Sequence, residues 1–151
     1  VRLKTVLLLP MLLACALAAA GCRQPGAGVD ASSSGDVDSV IGKLNSFTNE
    51  VMTAVESAPD PSAGVASAQK LLDSRMSELA GSIAALKRDA RFQQDAAAKR
   101  KWLEAEVDNT DRVHGLGSKF FDASMRDPAF KSRLDKLVGD YDSMFRDTES
   151  R

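Results

Sequence analysis

The chain has 151 residues, is 44% hydrophobic, 27% charged and only 5% aromatic, with a formal net charge of −1. That length suits one ordinary domain rather than two. Sixteen hydrophobic residues fall in positions 1–21, and 17 of the 50 that follow are alanine, so too little bulk remains for a large enzyme core or a polytopic membrane protein.

Beyond position 21 there are 18 basic and 21 acidic residues. That mildly acidic balance excludes the positive footprint of a nucleic-acid binder. The two cysteines, Cys15 and Cys22, both lie near the N-terminus, so the body can hold neither a disulfide framework nor a thiolate metal site.

Arg2 and Lys4 precede an apolar run from Val6 to Ala20, broken once by Pro10, which leads into Ala19-Ala20-Gly21-Cys22. A charged start, a short apolar run and small residues at the cut describe a secretory signal over 1–21. Fifteen residues are short for a spanning helix, which needs about 20.

The last four residues of this segment resemble the lipobox of bacterial lipoprotein precursors, although Ala19 stands where that family usually has leucine. The resemblance implies cleavage before Cys22 and addition of a diacylglyceryl group and a further acyl chain, typically palmitate, to that residue. Two or more chains hold a protein firmly on a bilayer. Arg23 and Gln24 after the cysteine lack the aspartate tied to inner-membrane retention in some bacteria. The expected location is therefore the outer membrane, facing the periplasm. The alternative is ordinary cleavage after Ala18-Ala19-Ala20, releasing a soluble protein.

Residues 22–36 then form the lipidated cysteine and a Gly-, Ser- and Pro-rich linker, a flexible tether with a reach of about 20 Å. A bundle domain over 37–148 follows. Val37, Val40, Ile41, Leu44, Phe47, Val51 and Val55 recur at helical spacing, which predicts a first helix over about 37–57, capped by Asp36 and stopped by Ala58-Pro59. Asp60-Pro61 opens a second, with Val65, Ala68, Leu72, Met76, Leu79, Ile83, Leu86 and Ala90 as its stripe. A turn is placed at about residues 90–94, where no Gly or Pro marks it.

The third helix starts near Asp95. Leu103, Val107, Thr110, His114, Gly117, Phe121 and Met125 keep one stripe, which predicts a single long helix to about residue 126, with Gly115 and Gly117 permitting a kink or a close helix approach. The alternative is a helix that ends at His114-Gly115-Leu116-Gly117. Asp127-Pro128 opens the fourth, with Phe130, Leu134, Leu137, Tyr141, Met144 and Phe145 inward. No strand pattern occurs, so the fold class is all-α: a bundle of about four helices, the second and third longer than the first and fourth. On those lengths the end of the second and the start of the third project as a hairpin.

That hairpin gathers Lys87, Arg88, Arg91, Lys99, Arg100, Lys101 and Trp102. A basic tip beside an aromatic ring can touch anionic headgroups or an acidic partner. The bland reading has Trp102 packed on a neighbouring helix. Glu104, Glu106, Asp108 and Asp111 lack calcium-loop spacing, and Asp108 is spaced for a pair with Arg112. His114, the single histidine, lies on the apolar stripe, which predicts a packed, hydrogen-bonded side chain. No nucleophile elbow, haem motif or phosphate loop accompanies it. No catalysis, no metal and no cofactor other than the covalent lipid are expected.

Phe120 and Phe121 are adjacent, so both cannot enter one seam. One is expected at the surface. With Phe130 and Phe145 the pair forms an aromatic group whose ordinary reading is core and whose sharper reading is a groove for a partner's amphipathic helix. The function expected is a lipid-anchored helical envelope component that acts as a binding adaptor or structural element, its partners the membrane and an envelope protein, with no nucleic acid. The alternative is a periplasmic helical domain that senses stress or binds a small ligand.

Overall fold

A computed structural model describes residues 31–146, with side chains from Asp36 onward. The signal segment, Cys22 and the first part of the linker lie outside these residues, as do positions 147–148. The described chain is all-α: α1 (Ala31–Glu56), α2 (Pro61–Arg88), α3 (Ala90–Gln94), α4 (Ala96–Lys119), α5 (Phe121–Arg126) and α6 (Pro128–Arg146), with no strand among the described residues.

The Asp-Pro starts form as the sequence predicts. Asp60 accepts from the backbone N–H groups of Ser62 at 3.3 Å and Ala63 at 2.9 Å. Asp127 accepts from Ala129 at 2.9 Å and Phe130 at 3.0 Å. Each satisfies two donors that the first helical turn leaves unpaired. Gly64 sits where α2 meets the end of α1. A Cβ there would stand 2.7 Å from the Val55 carbonyl oxygen and 3.0 Å from the Ala58 Cβ, so only glycine fits.

Four long helices run alternately up and down. Asp38 pairs with Lys101, Asn45 with Asn109, Asn49 with Arg112 and Glu56 with Lys119. That steady offset makes α1 and α4 parallel neighbours. Ser62 with Arg133 and Gln69 with Asp140 do the same for α2 and α6. α1 and α4 each pack beside a member of the second pair, which leaves α2 and α4 on a diagonal.

The core is one cluster. Leu44, Phe47, Leu72, Ile83, Leu116, Leu134, Leu137 and Tyr141 are fully enclosed. Phe47 and Tyr141 lie parallel at 6.3 Å. All six apolar positions expected on the last helix are buried. Of the second helix's stripe, Met76 is half-buried and Ala90 lies beyond α2 and exposed.

Several expectations change. Residues 31–36, expected in the linker, are helical, and Asp36 lies inside α1, where it pairs with Arg91 rather than capping. Extending a helix already anchored by Val37 is cheaper than nucleating one. With 26 residues, α1 is then longer than the 24-residue α4, so no hairpin projects. The end of α2 and the start of α4 are flanked by α1 and α6 instead.

The turn expected at 90–94 is the short helix α3, held between two aspartate caps. Asp89 accepts from Arg91 and Phe92 N–H, and Asp95 from Ala97 and Ala98 N–H. It carries the chain across the bundle diagonal, about 14 Å for helices about 10 Å apart, and buries Phe92 over the core's end.

The long third helix is broken. α4 stops at Lys119, and Phe120 takes φ −104°, ψ 22° before α5 begins. Phe120 turns inward onto Phe130, edge-on at 5.9 Å. Gly115 and Gly117 have open space around them and no part in the break.

Candidate docking face

The sequence places one apolar stripe on the third helix, but two rows share its period. Trp102, Asn109, Val113 and Leu116 are buried. Each stands one residue before a member of the expected stripe, namely Leu103, Thr110, His114 and Gly117. One residue turns the helix by about 100°, so the expected stripe leaves the core. Trp102 has the larger area to bury, and Val113 and Leu116 replace a histidine and a glycine at the centre.

The outward row is unusual for what it exposes. Leu103 is 58% exposed, Val107 47%, Phe121 60% and Met125 68%. These are the large hydrophobic side chains left exposed among the described residues, and all four belong to α4 and α5. Leu103, Val107, Thr110, His114, Gly117 and Phe121 follow one another in steps of four, three, four, three and four. The α4 members lie within an arc of about 80°. Such spacing, near 3.5 residues per repeat, is that of a seam between two helices. Of the adjacent pair Phe120 and Phe121, one of which the sequence expects at the surface, it is Phe121, a member of the expected inward stripe, that is exposed.

Beside this row lies a second, acidic one. Glu104, Asp108 and Asp111 occupy the adjoining arc of α4, and Asp122 follows on α5. None of the four has an ion-pair partner among the described residues. Elsewhere Asp36, Asp38, Glu50, Glu56, Asp135, Asp140 and Asp142 pair with basic side chains. Asp60, Asp73 and Glu78, on and before α2, have no ion pair among the described residues either, but are not set beside an exposed apolar row. The expected Asp108–Arg112 pair is replaced: Arg112 turns to α1 and donates to Asn49 at 2.6 Å. Leu103, Glu104, Val107 and Asp108 together line a shallow hollow.

His114 borders the face, half-exposed rather than packed. Its Nε2 lies 3.0 Å from both carboxylate oxygens of Asp142. The hydrogen bond expected of it is present, on the surface between α4 and α6.

The basic group gathers at the α3 end of the bundle, with much of it bound into the fold. Lys87 Nζ lies 3.8 Å from Glu106 and 3.5 Å from the Phe145 carbonyl. Arg91 pairs with Asp89 and Asp36, and its bonds hold the Asp89 carboxyl down to about 2. Lys99 donates to the Gln93 carbonyl at 2.8 Å, and Lys101 pairs with Asp38. Arg88 and Arg100 are exposed without an ion pair among the described residues. Trp102 is only 4% exposed, tilts against Phe145 at 6.5 Å and donates to Glu106 at 2.7 Å. The structure thus gathers the six cations at one end of the bundle and buries the tryptophan ring in the core, its N–H on Glu106, which Lys87 also faces.

Two small clefts of about 180 and 290 Å³ open along the α1–α2 seam, with Lys43 lining both. Drug-sized ligands ordinarily occupy pockets of about 300–1,000 Å³. No helix among the described residues is long and apolar enough to cross a membrane, and no cluster of three metal-ligating side chains occurs there. No family model, no curated protein and no solved structure matches the chain at a significant level.

Proposed function

We propose that the chain is a lipid-anchored helical adaptor of the bacterial cell envelope. Lipid on Cys22 holds it to the periplasmic face of the outer membrane, and the bundle binds a protein partner through the outer face of α4 and α5. The observation that carries the binding role is the exposed row from Leu103 to Met125. Isolated exposed hydrophobics are ordinary, but here two pairs, Leu103 with Val107 and Phe121 with Met125, recur at helical spacing along α4 and α5, separated by Thr110, His114 and Gly117. The anchor rests on the lipobox resemblance at Ala19–Cys22.

The test is metabolic labelling with a palmitate analogue, followed by crosslinking and purification from intact cells. Labelling and membrane association are expected for the wild type and lost in Cys22→Ser. The triple variant Leu103→Gln/Val107→Gln/Phe121→Gln is expected to keep its lipid and its fold but lose the co-purifying partner. A triple variant that retains the same partner would remove the binding role from this face.

A further inference from the structure

The shape and charge of this face together specify what fits it. We infer that the occupant of the α4–α5 face is a cationic amphipathic helix, with apolar residues repeating near every 3.5 positions and Lys or Arg along one flank. This rests on the adaptor reading above and narrows it to a partner class.

The apolar spacing sets the secondary structure of the occupant. Leu103, Val107, Thr110, His114 and Gly117 run along a helix axis for about 20 Å at 1.5 Å per residue. A second helix packs along such a row with side chains inserted between its members. Gly117 has nothing within 4 Å of its Cβ position, which permits close approach at that step.

The charge sets the sign of the partner. Glu104, Asp108, Asp111 and Asp122 have no ion-pair partner within the described residues. Arg100 precedes Glu104 by one turn and Arg126 donates to the Asp122 carbonyl at 3.2 Å, so four carboxylates stand against two exposed cations along this flank of α4 and α5. Leu103 and Val107 share their hollow with two of these carboxylates. An incoming Lys or Arg at the edge of an apolar seam meets them at the rim, where charge governs partner choice and encounter rate. A second copy of the chain would bring acidic row against acidic row. An anionic bilayer would be repelled by the same four groups. Both are disfavoured for the reason that favours a cationic helix.

The test uses the full chain in detergent and two designed helical peptides, about 21 residues long. They share one heptad of Leu and Ile, and their flanks are Lys in one and Glu in the other. The Lys peptide is expected to bind at least about tenfold more tightly, with affinity falling as salt rises. Glu104→Lys/Asp108→Lys/Asp111→Lys is expected to reverse that preference, and Val107→Asp to weaken both peptides. All these substitutions lie on exposed positions, and circular dichroism reports whether each variant keeps its helices.

Equal binding of the two peptides, or binding of neither, overturns the inference. So does a preference that the triple charge reversal leaves unchanged. Dimerisation of the chain, or binding to phosphatidylglycerol vesicles, that is lost in Val107→Asp overturns it by naming another occupant. A crosslink from position 107 to residues 1–30 of the same chain does so too. If peptide preference fails while Val107 still crosslinks to an envelope protein in cells, only the cationic-helix inference falls. If Val107 crosslinks to nothing, the adaptor reading falls with it.

Discussion

At the scale of single residues, the centre of the bundle holds one polar chain. The Tyr141 hydroxyl lies 2.6 Å from Thr48 Oγ1, which donates to the Leu44 carbonyl at 2.9 Å. Thr48 thus spends its proton on Leu44 and accepts from Tyr141. Burial pushes the Tyr141 phenol up to about 12, against about 10 for an unfolded tyrosine. Between those values the folded chain keeps a proton that the unfolded chain has lost. Stability is therefore intact below pH 10 and declines as pH rises toward 12, by up to about 3 kcal/mol. Denaturant titrations at pH 8 to 12 should show that decline in the wild type, and Tyr141→Phe should shrink it to the part that other groups such as Lys136, held up by Asp140, contribute, while costing about 1 kcal/mol at neutral pH. Neighbouring residues on α4 offer a second contrast. Trp102→Ala should cost about 3–5 kcal/mol, and Leu103→Gln less than about 0.5 kcal/mol. Thermal melts of the two variants check the register directly, because the sequence periodicity alone assigns the burial to Leu103.

At the scale of elements, what was legible had a local chemical signal. Asp60-Pro61 and Asp127-Pro128 each pair a side-chain acceptor with a residue lacking an N–H, and both open helices where expected. The last helix reads correctly because its six apolar positions form one row without a competitor. The third reads wrongly because α4 carries two rows of equal period, and only packing against α1 and α6 decides which turns inward. Asp95 opens a helix where the sequence places one, but 90–94 reads as a turn because five residues are too few to show a helical period, and the diagonal crossing that α3 makes behind its Asp89 cap is a property of the assembled bundle. Glycines follow the same logic. Gly64→Ala forces a Cβ against the Val55 carbonyl and should destabilise by about 1–3 kcal/mol. Gly115→Ala, on an open helical surface, should instead stabilise by about 0.5–1 kcal/mol. Urea midpoints of the two variants should thus move in opposite directions. Asp95→Ala should cost about 1 kcal/mol through its lost cap.

At the scale of the whole molecule, the bundle separates two tasks. One row of α4 closes the core against α1 and α6, and the other, with α5, faces outward beside unpaired carboxylates. The basic end, which the sequence offers as a contact surface, is largely consumed in closing the bundle around α3. The outward row was visible in the sequence only as the wrong thing, a core stripe, since spacing reveals that residues share a face and not what that face meets. The candidate face thus emerged from the conflict between pattern and packing. Its role can be read by installing a photo-crosslinking residue in turn at 103, 107, 114 and 117 on the row, and at the exposed positions 74, 78 and 81 on α2, in intact cells. A single crosslinked species from the row positions and none from α2 is expected if the outer face of α4 and α5 is the docking surface. Crosslinks that ignore the row, or that arise equally from α2, would contradict it.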